Sequence, residues 1–399
     1  MTKIKKSITL LLLISLSLLL SSCWSKRELN ELAIVVAVGV DKVEEEYEVS
    51  LQIVNPSEVS SSKPSSGQSP VITYNAKGDS VFEAVRKMTT LTPRKAYFAH
   101  LQVLVVGENL AKEGISQTLD ILSRDQEIRN NFVVIISHQA TAKEILNVLT
   151  PIEKIPANKI INSLAGSEKA WGSTLSVNVE DLINALNSIG NSSVLPAIEI
   201  QGDTQLGIDK TNVAKIKTPV ILKYVGLVVF KEDKLMGFLT EEESRSFNFL
   251  KDKIKSTVEI ISCPEQGKLT TEITKSTTKI KGKFEHDTPK IDVEITIEQN
   301  VGEVECAINL TENQTITYIN KKTAELIKDQ IEKTLMTIQK NYQLDIIGFG
   351  EVLYREDHKE WKKIKDEWPT IFPDLAVNIE VKVNTKGLGT MNNSMLQYD

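Results

Sequence analysis

An apolar run that stops at a cysteine decides where the rest of this chain must fold. Ile8 to Leu20 is a stretch of thirteen residues, preceded by Lys3, Lys5 and Lys6 and followed by Ser21, Ser22 and Cys23. With Thr9, Ser15 and Ser17 inside it, the run falls short of the roughly 20 apolar residues a spanning helix needs. The basic start holds the terminus on the cytoplasmic side, the run inserts, and the small serines let a peptidase reach the bond before Cys23. The expected product is a lipoprotein with Cys23 as its first residue, the thiol carrying a diacylglyceryl group as a thioether. An ordinary secretory leader that ends beside a cysteine by chance is the alternative. Because two acyl chains anchor stably where one is marginal, the body should sit outside a membrane and be held to it.

Cleavage leaves 377 of the 399 residues, and the loss of three leader lysines takes the formal net charge from −6 to −9. At 41% hydrophobic and 25% charged residues, such a chain can bury globular cores. Its length suits two or three domains. The acidic balance and the lack of a clustered basic surface argue against nucleic acid as a partner. They also argue against electrostatic adsorption to anionic lipid, which leaves the acyl chains to hold the protein down. Besides Cys23 the chain has only Cys263 and Cys306. Two buried free thiols are the expected state, with a disulfide closing a long loop as the alternative.

Leu32 to Val40 is an apolar run suited to a strand buried on both faces, and the alternating Tyr47 to Val54 reads as its partner. Residues 55–70 are Ser-rich and lack an apolar period, which predicts a surface loop. Ser80 with Glu83 and Thr141 with Glu144 are capping boxes that open helices. Leu101–Val106 and Phe132–Ile136 are further buried strands, and helices are expected near 115–124, 157–164 and 179–189. Val220–Phe230 and Leu235–Leu239 read as a hairpin, and Glu241–Glu243 as the first turn of a helix. Thr257–Ile261, Leu269–Phe284 and Ile291–Ile297 alternate Thr, Lys or Glu with apolar residues, as in an antiparallel sheet with one wet face. A long helix is expected over 319–342, its stripe of Ala324, Ile327, Ile331, Leu335 and Ile338 serving as core. A short helix near 347–356, a turn containing Trp361 and Trp368, and a strand at 375–383 complete the reading.

No catalytic grouping, metal set or cofactor motif emerges. Four histidines, His100, His138, His286 and His358, are spread along the chain, and neither Gly-x-Ser-x-Gly nor His-Glu-x-x-His occurs. His100, at the entrance of an apolar strand, is a candidate partner contact, with a hydrogen-bonded structural histidine as the alternative. Trp361 and Trp368 are candidates of the same kind, with core packing as theirs. Glu44–Glu46 reads as a solvated hairpin tip, without the spaced oxygens and bend glycine of a calcium loop.

Taken in order, four blocks resemble the Ger(x)C family, the lipoprotein C subunits of spore nutrient germinant receptors. They are Cys23 to Leu32; Arg94 to Val103 with Gly114; Gly226–Phe230 with Leu235–Leu239 and Glu242–Arg245; and Gly348-Phe349-Gly350 with Trp361, Trp368, Phe372-Pro373 and Asp374. The resemblance covers nearly the whole chain. It implies an α+β protein of three mixed α/β domains in an extended arrangement, with antiparallel-rich sheets in the second half. Composition sets the boundaries at a 1–22 signal peptide, a 23–202 N-terminal unit, a 203–270 middle unit, a 271–386 C-terminal unit and a 387–399 tail. The resemblance further implies a non-enzymatic subunit on the outer face of the inner spore membrane. Its expected partners are an integral membrane A subunit and a polytopic B subunit, and its expected role is receptor assembly or signal coupling rather than direct capture of the germinant. A substrate-binding lipoprotein of an importer is the alternative and would show two similar lobes around a hinge cleft. A tethered cell-wall hydrolase lacks its catalytic groups.

Overall fold

The computed structural model describes residue 4 and residues 31–59, 67–186 and 192–389. Cys23, the segment up to Asn30, residues 60–66 of the Ser-rich stretch and most of the tail therefore lie outside the described residues. The elements run β1 (Leu32–Val43), β2 (Glu46–Val54), β3 (Val71–Gly78), α1 (Val81–Lys87), β4 (Lys95–Tyr97), β5 (Val103–Gly107), α2 (Glu108–Glu113) and α3 (Ser116–Arg124). There follow β6 (Val133–His138), α4 (Ala142–Asn147), α5 (Pro156–Ala170), α6 (Val179–Leu186), β7 (Val194–Gln201), β8 (Ile221–Lys231), β9 (Lys234–Phe238) and α7 (Glu241–Leu250). The chain ends with β10 (Thr257–Ser262), β11 (Lys268–Glu285), β12 (Thr288–Val304), α8 (Asn313–Met336), α9 (Phe349–Glu356), α10 (His358–Ile364) and β13 (Ala376–Gly387).

Two sheets organise this α+β fold. The first has nine strands in the order β3-β2-β1-β5-β6-β7-β8-β9, with β4 pairing in parallel with the start of β1. Its parallel centre, β1-β5-β6-β7, is covered on both faces, which is why Val35, Val38 and Val103 to Val106 are all buried. Burial on both faces extends to the alternating strand β2. Gln52 reconciles the polar side chain with that burial, because its amide donates to the Leu146 carbonyl at 2.8 Å and its oxygen accepts from Ala157 N–H at 3.1 Å. α4 starts as its sequence predicts, with a complete Thr141–Glu144 capping box. In α1, Ser80 accepts from Glu83 N–H, but Glu83 reaches back to Asp79 N–H.

The hairpin expected to open a middle unit belongs to this first sheet, with β8 antiparallel to β7 along Val194–Gln201. The reason is in its composition: Gly226 to Phe230 are all buried, and a strand apolar on both faces needs neighbours a free hairpin lacks.

The second sheet has the order β10-β11-β12-β13, antiparallel except for the final parallel pair. Along β12, Ile291, Val293, Ile295 and Ile297 are buried while the residues between them are not, so this sheet does have one wet face. α8 lays Ile319, Ile327, Ile331 and Leu335 on the dry one and continues as a π-helical turn to Tyr342. Cys263 and Cys306 form a disulfide, against the expectation of free thiols. The antiparallel ladder brings the ends of β10 and β12 together on either side of Gly267, where Cys263 N–H donates to the Gly267 carbonyl and Glu305 N–H to that of Lys268.

Candidate functional site

The two sheets meet at a junction whose apolar part is one continuous cluster. Val194, Leu227 and Val229 of the first sheet share it with Phe247 and Phe249 of α7, Ile295 of β12 and Ile331 of α8. β8 and α7 approach closely because Gly226 has no side chain. Its φ of 112° lies in the left-handed region, and a Cβ there would come within 2.7 Å of Ser244 Oγ and 2.8 Å of the Leu239 carbonyl. Ser244 in turn accepts from Leu227 N–H at 2.9 Å. Asn248 of α7 donates to the carbonyls of Gly172 and Thr174 at 2.8 and 3.0 Å, and the Arg245 guanidinium lies over the Trp171 ring, 5.1 Å from its centroid. Tyr342 closes the far side by donating to the Phe238 carbonyl at 2.9 Å, with Gly237 leaving room for its ring.

Asp345 is the polar centre of the junction. Its Oδ1 accepts from Gly348 and Phe349 N–H at 2.7 and 3.0 Å, and its Oδ2 from Gly350 N–H at 2.7 Å and Trp368 Nε1 at 3.2 Å. Its carbonyl accepts from Ser192 N–H, two residues before β7. Burial pushes the Asp345 carboxyl above the usual carboxylate range, and the four donors pull it back without cancelling the effect. Burial pushes the ammonium of nearby Lys251 down, opposed by Asp345 and Glu351; it donates to the Ile347 carbonyl at 3.0 Å. The Gly-Phe-Gly motif is thus a carboxylate cradle at the start of α9. Gly350 must lack a side chain, since a Cβ would meet Trp361 at 2.7 Å and Trp368 at 3.0 Å.

The indoles proposed as partner contacts take part in this packing. Trp361 and Trp368 are 5% and 3% exposed and meet edge to face with ring centroids 5.2 Å apart, which closes them to a partner in this conformation. His100 is exposed, in an edge contact with Tyr97 at 6.0 Å. His138 faces Glu108 at 3.0 Å and packs at a tilt against Phe238, His286 sits at the β11–β12 turn, and His358 meets Tyr354 edge to face, so the four histidines share no site. Sequence reasoning missed two of the buried carboxylates, Asp345 and Asp41. Asp41 accepts from Ala142 and Lys143 N–H at the start of α4, at 2.8 and 3.0 Å. The sequence signal was an Asp within an apolar run for Asp345 and at the end of one for Asp41.

Among the described residues, a concavity of about 890 Å³ lies between the start of β3 and the segment 146–156, lined in part by Lys154, Lys210, Ile208 and Val213. Lys210 is tied to the Gly67 carbonyl. Among the described residues, no group of three His, Cys, Asp or Glu could hold a metal, and no helix is long and apolar enough to cross a membrane.

Comparison with known proteins also divides the chain in two, but the division falls within the first sheet and leaves most of β8 and all of β9 on the C-terminal side. A family described as "Spore germination protein N-terminal domain" matches residues 25–200, and one described as "Spore germination B3/ GerAC like, C-terminal" matches residues 225–389. The chain is 31% identical to "Spore germination protein KC" of Bacillus subtilis, over 98% of each chain. It is 24% identical to "Spore germination protein A3" of the same species, over 94% of this chain and 96% of that one. The crystal structure of the GerBC protein superposes with a TM-score of 0.56 over 87% of this chain and 96% of that one, at 19% identity, a likeness of fold.

Proposed function

The chain belongs to the Ger(x)C family of spore germination proteins, and from that premise we propose that it is the lipid-tethered C subunit of a nutrient germinant receptor, serving assembly or signal coupling without catalysis. Cys23 carries the diacylglyceryl anchor, and the body stands on the outer face of the inner spore membrane beside the integral A and B subunits.

The observation that carries this reading is the junction. Two unlike sheets share one apolar cluster and are cross-bonded through the Asp345 carbonyl, Asn248 and Tyr342. A body built this way passes a displacement from one half to the other instead of absorbing it in a hinge. The importer reading asks for two similar lobes around a cleft, and the nine-stranded and four-stranded sheets are not alike.

Replacing Cys23 with Ala in spores tests the proposal. The variant body should fold, leave the membrane fraction and slow the response to the cognate nutrient. Unchanged membrane retention in a strain lacking the A and B subunits would refute the anchor, and unchanged nutrient response by a fully released variant would refute the coupling role.

A further inference from the structure

β13 is the outer strand of the second sheet. It pairs with β12 from Ala376 to Gly387, and among the described residues no strand pairs with its other side. Twelve residues is long for an edge strand without proline; Asn320 caps it at Thr385 N–H, and Lys382 reaches Glu294 at 2.7 Å and Glu380 at 3.2 Å within the chain. Val377, Ile379, Val381 and Val383 lie on the face toward α8, where a shallow groove of about 440 Å³ is lined by Asn320, Lys321, Ala324, Ile379, Val381 and Val383. Asn378, Glu380, Lys382, Asn384 and Lys386 are exposed on the other face.

This edge is complementary to itself. Laid antiparallel to a second copy with the two-fold axis at Val381, Glu380 faces Lys382 of the copy and Lys382 faces its Glu380. In the same register Ile379 faces Val383, and Asn378 faces Asn384. The axis must pass through a residue position for both copies to keep α8 on the same face. Moving it one residue either way opposes Glu380 to Glu380 or Lys382 to Lys382, which like-charge repulsion disfavours. The Val381 register is therefore selected over its neighbours by charge as well as by apolar match.

We propose that β13 is a homodimerisation edge, joining the four-stranded sheets of two copies into one continuous eight-stranded sheet with Val381 on the two-fold axis. Each copy's edge strand completes the hydrogen bonding of the other, and the paired apolar faces close the two grooves beside α8.

The test uses the full-length chain in detergent micelles, with sedimentation and oxidative crosslinking as readouts. V381C should crosslink to itself, N378C alone should not, and a mixture of N378C with N384C should. E380K sets Lys against Lys at two symmetry-related places and should weaken self-association by roughly tenfold or more. E380K/K382E restores opposite charges across the axis, sets the introduced lysine beside Glu294 of β12 in the existing register, and should restore the dimer. A wild-type chain that stays monomeric throughout, self-crosslinking of N378C equal to that of V381C, or V381C captured by a different receptor subunit would each overturn the proposal.

Discussion

Replacing Asp345 with Asn keeps the size and shape of the side chain and inverts half of its hydrogen bonding. Two donors converge on each carboxylate oxygen: Gly348 and Phe349 N–H on Oδ1, Gly350 N–H and Trp368 Nε1 on Oδ2. The amide retains one oxygen, so whichever way it turns, two buried donors face an NH₂ group. Each donor left without a partner costs about 1–3 kcal/mol, or roughly 4 kcal/mol for the two. Removing a carboxylate that burial already disfavours returns part of this, and the expected net loss is about 3 kcal/mol. Urea unfolding followed by tryptophan fluorescence reads the change directly, because Trp368 is one of the four donors. A loss within about 0.5 kcal/mol of zero, the range of ordinary surface substitutions, would refute the assignment of Asp345 as the junction's organising group.

Reducing the Cys263–Cys306 bond, or replacing both residues with Ser, should lower stability by about 4 kcal/mol in the chain-entropy model for a sequence separation of 43, measured as a shift of the urea midpoint. G350A drives a methyl group into Trp361 and Trp368 and should cost about 1–3 kcal/mol, visible as a lower thermal midpoint and a changed near-ultraviolet tryptophan dichroism. Glu168 is partly buried, which alone would raise its pKa, but hydrogen bonds from Ser176 and Lys255 outweigh burial and hold it below the usual value. Because the folded pKa is depressed, its contribution exists above the unfolded pKa and disappears as pH falls through the folded one. E168Q should therefore lose about 1 kcal/mol at pH 7 and match the wild type in strong acid, as a pH series of unfolding curves would show.

Much of the fold was legible because each strand's surroundings are written in its own residues. The apolar runs Leu32–Val40, Leu101–Val106 and Phe132–Ile136 could only be strands covered on both sides, and the alternation along β12 could only face a core on one side. The long helix was placed by its isoleucine stripe, with its start six residues late because Asn313–Tyr318 carries little of it. What stayed hidden depended on distant partners. Gln52 looks like the polar half of an alternating strand until the Leu146 carbonyl and the Ala157 amide arrive from another part of the chain. The cysteine pair stood only as the alternative to free thiols because strand order, not spacing, brings its ends together. The Gly-Phe-Gly motif was noticed, but its purpose required Asp345 and Trp368 to be seen around it.

The intact mass of the chain purified from membranes of its native host tests the central claim most directly. A chain beginning at Cys23 and heavier by a diacylglyceryl group, with that mass confined to the N-terminal peptide, is the predicted result. An unmodified thiol at Cys23 on a protein recovered from the soluble fraction would contradict the account.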